Sequence, residues 1–495
     1  MQKRSLAILL ALAATSAAVA QDSRPVAFVN ARLVPISGPV IERGTLVVKN
    51  GKIEAIGADV ATPPGARVID ANGKTILPGL VSAVSRAGLG GPPPRREEAQ
   101  AGGRRRGGPV PMPSGGGGGG SGNRAATKIA DGLYGKQPVF GELLRLGVTT
   151  LALTPNGFGF PGQGALLRPD GKTTSELVAN DGAFVLVAMT RTTETKKLLK
   201  ETFEKAKQVV EARKKPPEPP PAPAAAPAAG DGKPAEKPPE AKEPPKGEQP
   251  PKPEPKPEPK PEPKPEPKPE PKPEPKPEPK PEPKPQDRPQ GQGGQPQPEA
   301  QKRPEAPKDP NLEVVADLLE GKQRAFVQID SAADFLHWQA AVADDVKFPR
   351  AVVVSRHDTL GGTVDHVIEP LKAWQCPVLL PLDMTTVPRS RFLIHPSKQL
   401  HDAGIEIGFH LGDTPQTVRY VFFRLMELVR YGLPADVALR GITQVPAKAL
   451  GVDKEVGVLE VGKRADLLVF QGDPLAPTGQ LESVWLQGRE VPQQP

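Results

Sequence analysis

Apolar and polar residues alternate along the first part of the chain. Residues 26–36, 44–57 and 66–79 show the period of two that is typical of half-buried strands. Asn50-Gly51 stands between two such runs and is a strong signal for a tight β-hairpin. The pattern therefore predicts a small antiparallel sheet near the N-terminus.

The same alternation returns at the far end, in residues 457–470 and 481–491. A short N-terminal sheet cannot bury both of its faces by itself. We therefore predict one composite β-sandwich, built from residues 21–78 and 451–495, with Val48, Ile53, Leu468 and Val469 in a shared core.

Between the two ends, apolar β-rich runs alternate with segments of helical spacing. One predicted helix is opened by Ser331 and another is closed by Gly432. Repeated βα units favour a parallel sheet, most simply a (β/α)8 TIM-like barrel. The predicted fold class is α/β, with the barrel formed by residues 79–214 and 311–450.

Two segments interrupt the predicted barrel. Residues 91–127 are rich in Gly and Arg, and residues 215–310 are rich in Pro. Within the second, proline occupies every odd position of 251–285, which excludes helix and sheet ladders and leaves polyproline II. We expect both to be disordered insertions, and we expect deletion of 215–310 to leave the melting temperature nearly unchanged.

The first twenty residues have the pattern of a signal peptide. Lys3 and Arg4 precede a short apolar run, and Ala18-Val19-Ala20 fits a cleavage site before Gln21. The run is too short for a stable transmembrane helix. The sequence predicts an exported chain, periplasmic or secreted, without a transmembrane helix after signal removal. A retained anchor is the alternative.

Charge and cysteine content narrow the classes of partner. The formal net charge of +8 is partly local, because the Gly/Arg tract holds six arginines and two glutamates. This tract is either a solvated loop or a contact for polyanions; export argues against nucleic acid.

Cys376 is the only cysteine, so no disulfide forms within the chain. Its apolar surroundings favour a buried structural thiol over a nucleophile.

Five stretches carry a family resemblance. They are LVVKNGKIEAIG (46–57), ILPGLVSAVSR (76–86), GVTTLALTPNGFGFPGQGALLR (147–168), LRGITQVPAKALGV (439–452) and VGVLEVGKRADLLVFQGDPL (456–475). In this order they resemble the amidohydrolase superfamily, especially its imidazolonepropionase-like group. The resemblance implies a (β/α)8 barrel with a composite β-sandwich, and metal-assisted hydrolysis of C–N and related bonds. The Gly-rich part of the third stretch is interpreted as a loop at the barrel mouth.

The resemblance also locates the expected metal site. Two histidines of the family's first barrel strand fall on Val84 and Arg86, and a third falls on Gln328. Valine has no donor atom and arginine is cationic, so neither can bind a metal ion. His357 matches a ligand position, and Asp413 matches the catalytic aspartate of the last strand. The implied cofactor is none, or a weakly bound divalent metal such as zinc.

Structural roles compete with these assignments. His357 can be an ordinary polar residue at a strand end, and Asp413 can cap the helix that starts at Thr414-Pro415. If the site is degenerate, Arg86 and Asp413 are expected to form a buried ion pair. His410, three residues before Asp413, is a further candidate ligand. The remaining histidines lack ligand spacing: His337, His366, His395 and His401.

Three functions remain open. The first is an exported amidohydrolase-fold protein with a degenerate metal site, a pseudoenzyme that binds or scaffolds an unknown small molecule or envelope component. The second is an active hydrolase of non-peptide C–N bonds with a weak or rearranged metal site. The third is a barrel displayed on the Pro-rich arm.

Overall fold

The computed structural model describes residues 24–89, 121–214, 308–342, 346–355, 366–387 and 389–493. The predicted signal peptide, most of the Gly/Arg tract, nearly all of the Pro-rich insert and His357 lie outside these ranges. In the described ranges, every helix is too short or too polar to span a lipid bilayer.

The strands fall into an N-terminal group, a middle group and a C-terminal group. They are β1 Val26–Leu33, β2 Ile41–Lys49, β3 Lys52–Gly57, β4 Arg67–Asp70, β5 Thr75–Pro78, β6 Leu80–Ser85, β7 Ser121–Asn123, β8 Val148–Leu153, β9 Phe158–Leu167, β10 Val178–Ala188, β11 Ala325–Ile329, β12 Arg350–Val354, β13 Val378–Pro381, β14 Thr385–Thr386, β15 Leu393–Ile394, β16 Ile407–His410, β17 Leu467–Gln471, β18 Gln480–Leu486 and β19 Arg489–Glu490.

The helices lie between the strands of the middle group and directly after them. They are α1 Pro138–Arg145, α2 Thr174–Leu177, α3 Thr193–Lys214, α4 Pro310–Leu319, α5 Ala332–Ala341, α6 Ile368–Ala373, α7 Pro396–Asp402, α8 Pro415–Val418, α9 Val421–Arg430, α10 Ala435–Gly441 and α11 Gln444–Leu450, with a short 3₁₀ helix at Ile129–Gly132.

Both ends of the described chain enter one mixed sheet of eight strands. Its order is β19-β18-β17-β5-β1-β2-β3, and β4 pairs with β1. The C-terminal β17 pairs antiparallel with the N-terminal β5. Val48, Ile53 and Val469 share a core with Phe28 and Trp485, whose rings meet edge to face at 4.9 Å.

The predicted place of Leu468 in that core is wrong. Leu467 and Val469 lie in the shared core, whereas Leu468 packs in the larger cluster that includes the barrel helices. Successive residues of a strand point to opposite faces, so Leu468 necessarily faces the other way.

The predicted hairpin at Asn50-Gly51 is confirmed. β2 and β3 pair antiparallel on either side of it. Asn50 and Gly51 have φ values of 51° and 76°, both in the left-handed region. Positive φ at both central residues is the requirement of a type I′ turn, which explains why Asn-Gly stands here.

A second sheet of nine strands curves into a nearly closed barrel. Its order is β16-β13-β12-β11-β10-β9-β8-β6, and β7 pairs with β9. β6 pairs parallel with β8, and β10 through β16 pair parallel along that path. β9 is antiparallel to both of its main neighbours, β8 and β10. The described barrel is therefore not a regular (β/α)8 arrangement.

The Gly-rich segment forms this antiparallel strand, so its interpretation as a loop at the barrel mouth is wrong. Residues 159–165 of β9 are buried. Gln163 Nε2 donates to the carbonyl of Ala125, and Gly164 lies directly under the Phe184 ring. Glycine in a strand marks close approach of a neighbour, and that approach overrode the local turn signals.

The barrel interior below the mouth is apolar. Phe184 and Phe326 stack with ring centroids 4.0 Å apart, between Ala83, Ala152 and Val353. This layer fills the centre of the barrel, so the interior is a packed core and polar side chains occur at its end.

Gly164→Ala tests this packing. A Cβ at Gly164 would lie 2.1 Å from Phe184 Cζ. We expect the free energy of unfolding to fall by about 1–3 kcal/mol, because the stacked rings must shift. Gly38→Ala is the matched control, since its Cβ would meet nothing within 4 Å. Equal effects of the two variants in urea unfolding would contradict the packing described here.

The helices on either side of the Pro-rich insert are joined by an ion-pair cluster. Arg213 near the end of α3 contacts Glu313, Asp317 and Glu320 on and after α4, with Nη1–O distances of 2.8 Å to Asp317 and 2.7 Å to Glu320. Hydrogen bonding to Glu313 raises the pKa of the Arg213 guanidinium. Residues of the two helices and of the turn after α4 therefore link the two helix ends directly.

Candidate functional site at the barrel mouth

The mouth is the end of the barrel where the parallel strands finish. Side chains alternate along each strand, so residues two positions beyond the buried interior layer form the next layer up. Thr154 follows Ala152, Gln328 follows Phe326, and His410 follows Gly408. Val84 packs on the same interior cluster. The floor of the mouth thus combines a hydroxyl, an amide and an imidazole with one hydrocarbon side chain.

Asp413 and Arg86 meet at the rim, where the two edge strands of the sheet come together. β6 ends at Ser85 and β16 ends at His410. The backbone N–H of Arg86 donates to Asp413 Oδ1 at 2.8 Å. The carboxylate therefore links the ends of the first and last barrel strands.

The predicted ion pair between these two residues is wrong in its chemistry. Arg86 and Asp413 are both exposed, and the contact uses the Arg86 backbone rather than its guanidinium. The described residues show no ion pair of the Arg86 side chain. The Arg86 side chain therefore does not form the predicted ion pair with Asp413. The two residues are nevertheless neighbours at the barrel mouth, as the sequence predicted.

A rigid turn places Asp413. Gly412 adopts φ 96°, and a Cβ there would lie 2.3 Å from Thr417 Oγ1. Thr414 and Thr417 then form a reciprocal capping box at the start of α8, with both N–H to Oγ1 distances at 3.3 Å. The predicted N-cap role of Asp413 is thus wrong, since Thr414 is the N-cap and leaves the carboxylate for β6.

His410 and Thr154 add polar groups to the floor. His410 is half-buried, and its Nε2 lies 3.2 Å from the carbonyl oxygen of Leu379 on β13. Thr154 is 5% exposed, and its Oγ1 has no hydrogen-bond partner within the part of the chain described. A buried hydroxyl without a partner costs about 1–3 kcal/mol, so a bound water or ligand there is stabilised. Sequence reasoning missed Thr154; its only signal was its place at the end of an apolar strand.

The floor does not fit a three-ligand zinc site. Val84 offers no donor atom, Arg86 is cationic, and Gln328 offers a neutral amide. No group of three or more His, Cys, Asp or Glu side chains is spaced to hold a metal ion in the described ranges. His357 falls outside those ranges.

His395 has a structural role. Its Nδ1 accepts from the backbone N–H of Lys398 at 3.1 Å, which caps α7, and its Nε2 lies 3.1 Å from the Leu428 carbonyl. Burial lowers the pKa of His395. The ring thus joins α7 to α9.

Because the contact uses the Arg86 backbone and the Asp413 side chain, alanine substitutions at the two positions should differ in their effect on stability. Arg86→Ala keeps the N–H and should leave the free energy of unfolding within about 0.5 kcal/mol. Asp413→Ala removes the acceptor and should cost about 1–2 kcal/mol, because hydrogen bonds to charged groups are the stronger ones. Urea unfolding of both variants checks this. A larger loss of stability for Arg86→Ala than for Asp413→Ala would instead support an ion pair through the Arg86 side chain.

The C-terminal part of the chain matches a known family. Residues 398–491 match the model of the amidohydrolase family. Imidazolonepropionase of Klebsiella pneumoniae (strain 342) is 38% identical over 120 residues, which are 24% of this chain and 29% of that protein. Amidohydrolase tasK of Hapsidospora irregularis is 32% identical over 92 residues, 18% of this chain and 9% of that protein. The chain thus spans less than a third of either curated relative.

A likeness in fold covers nearly all of the chain. A crystal structure of an amidohydrolase from Thermotoga maritima MSB8 has a TM-score of 0.64 at 19% identity, covering 95% of this chain and 100% of that one. These findings support the amidohydrolase superfamily. At this identity the structural likeness shows the amidohydrolase fold alone and carries no information about the chemistry of the mouth.

Proposed function

We propose that this chain is an exported amidohydrolase-fold protein that binds a small polar molecule at its barrel mouth without a resident metal ion. The main support is the set of side chains at the strand ends: Val84 has no donor atom, Gln328 is a neutral amide, and the buried Thr154 hydroxyl has no hydrogen-bond partner among the described residues. These side chains offer hydrogen bonds to a polar ligand but do not provide three ligands for a zinc ion.

The groups on the floor suit a neutral ligand with hydrogen-bonding atoms. Thr154 and Gln328 can each donate and accept, and the stacked Phe184 and Phe326 close the bottom. A ligand with an amide or imide group would satisfy the Thr154 hydroxyl. The exposed Asp413 carboxylate at the rim would accept a donor from the same ligand.

A second candidate is hydrolysis of C–N bonds. What favours it is the match of residues 398–491 to the amidohydrolase family, and relatives that are named amidohydrolase and imidazolonepropionase. In this reading Asp413 takes a proton from the attacking water. Asp413 is exposed at the rim, where a water molecule can reach it.

Hydrolysis assays on the full chain separate the two candidates. Chromogenic amides and lactams are incubated with the wild type, with and without added zinc, and with Asp413→Asn. The binding proposal predicts no turnover above the rate of Asp413→Asn, together with saturable protection of the wild type against unfolding by a cyclic amide or imide. Zinc-dependent turnover that Asp413→Asn abolishes would establish the hydrolase instead.

A further inference from the structure

A cavity of about 710 Å³ lies at the opposite end of the barrel from the mouth. Arg324, Pro349 and Pro377 line it, and they directly precede the parallel strands β11, β12 and β13, respectively. Parallel strands start at one end of the barrel and finish at the other. This cavity is therefore separate from the proposed mouth site, and its volume is that of a small-molecule site.

Arg350 is the central group of the cavity. Its Cζ lies 4.3 Å from the ring centroid of Trp374 and 5.1 Å from that of Phe348. The guanidinium is held by these rings rather than by a carboxylate, since the described residues show no ion pair of Arg350. Burial lowers the pKa of Arg350 and outweighs the opposing effect of the nearby Cys376 thiol.

The other cations of the cavity are used differently. Arg324 donates to the carbonyls of Lys448 and Ala449 at 3.1 and 2.8 Å and so caps the end of α11. Lys448 pairs with Glu406 at 2.6 Å. Lys347 is exposed at the edge. No Asp or Glu occurs among the described residues that line the cavity. An uncompensated positive charge therefore remains at Arg350, with Lys347 beside the entrance.

One wall of the cavity is aromatic, and charged and amide side chains make up much of the remaining lining. Trp338 is buried, and Trp374 and Phe348 flank the guanidinium. Planar groups stack on aromatic rings. A guanidinium binds a carboxylate or phosphate by donating two parallel N–H hydrogen bonds to its oxygens.

We propose that this cavity binds a small molecule that joins an anionic head, a carboxylate or phosphate, to a planar apolar body. The head contacts Arg350, and the body lies against the aromatic wall. Neither group alone explains the site: an inorganic anion would leave most of the volume empty, and a neutral ring would leave the guanidinium without a counter-charge.

Ligand binding in the cavity can be followed with side chains that line it. Two of the three tryptophans of the chain line it, Trp338 and Trp374. Cys376, the only cysteine, also lines it and lies near Arg350. Burial raises the pKa of this thiol to about 11, so it reacts slowly, and an anion at Arg350 should slow it further.

The experiment titrates the full chain with phenyl phosphate and benzoate and follows tryptophan fluorescence and the rate of thiol labelling at Cys376. Benzamide is the neutral analogue, and inorganic phosphate is the head without the body. We expect saturable binding of the two anionic probes, slower thiol labelling when either is bound, and at least a tenfold weaker response to benzamide and to inorganic phosphate. Arg350→Met should weaken anionic binding at least tenfold, whereas the exposed Arg430→Met on α9 should not change it.

Several results would overturn the proposal. They are absence of saturable binding, equal binding of benzamide and benzoate, equal binding of inorganic and phenyl phosphate, and unchanged affinity in Arg350→Met. If Arg350→Met fails to fold, the wild type alone decides the question, because selective protection of Cys376 by phenyl phosphate over benzamide supports the site and its absence refutes it.

Discussion

Replacing Asp466 with alanine lowers the free energy of unfolding by about 3–5 kcal/mol. Asp466 and Arg464 form an ion pair at 2.8 Å with side chains only 4% and 12% exposed. Asp466 Oδ1 also accepts from the backbone N–H of Gln487 at 3.0 Å. The variant leaves both the Arg464 guanidinium and the Gln487 N–H buried without a polar partner, which even a protonated Asp466 would still provide, and these two groups are the source of the loss.

The matched control is Asp59→Ala, an exposed position that should change stability by less than about 0.5 kcal/mol. The double variant Arg464→Met/Asp466→Leu should cost less than Asp466→Ala alone, because it removes both charges together. Urea unfolding measures all three. If Asp466→Ala behaves like Asp59→Ala, the pair is not buried as described.

The same carboxyl gives a pH dependence. Burial raises the pKa of Asp466 to about 6, against an ordinary value of 3.8, and outweighs the opposing effect of Arg464. The folded state then binds the proton more tightly than the unfolded chain. This group's contribution to stability is therefore fully present below about pH 4 and is lost as the pH rises through 6. Asp466→Asn should lack that slope in unfolding experiments at pH 5 and 7.

Truncation after Gly457 abolishes the soluble fold. It removes β17, β18 and β19, and so strips β5 of its antiparallel partner. The core around Phe28 and Ile53 loses Val469 and Trp485. An exposed apolar face next to an unpaired strand edge favours aggregation.

A truncation after Val491 is the control, because it leaves every strand of that sheet in place. Size-exclusion chromatography and thermal unfolding compare the two products. A monomeric truncation at Gly457 that unfolds cooperatively would show that the N-terminal strands do not depend on the C-terminal ones.

Local signals in the sequence were sufficient where one residue type fixes one geometry. Asn50-Gly51 supplies two left-handed residues, and Ser331 accepts the N–H of Asp334 at the start of α5. The strand β9 was missed for the opposite reason. Its glycines and Pro161 are turn signals by themselves, and only the packing of Gly164 against Phe184 explains why they lie in a buried strand.

The candidate site was predictable to the level of neighbouring positions. The family resemblance placed Arg86 and Asp413 at one rim, and the structure joins them there. The atoms could not be predicted, because a backbone N–H is common to every residue except proline and leaves no trace in the sequence. Thr154 was missed because its buried hydroxyl becomes informative only when its missing partner is seen.

The metal content of the purified full chain tests the central claim most directly. Protein purified without chelator is analysed by mass spectrometry for bound zinc and other divalent metals, and its thermal unfolding is compared before and after chelation. The residues at the mouth predict well under one equivalent of metal and no change in unfolding on chelation. A stoichiometric metal whose removal lowers stability and abolishes amide or lactam hydrolysis would contradict this account.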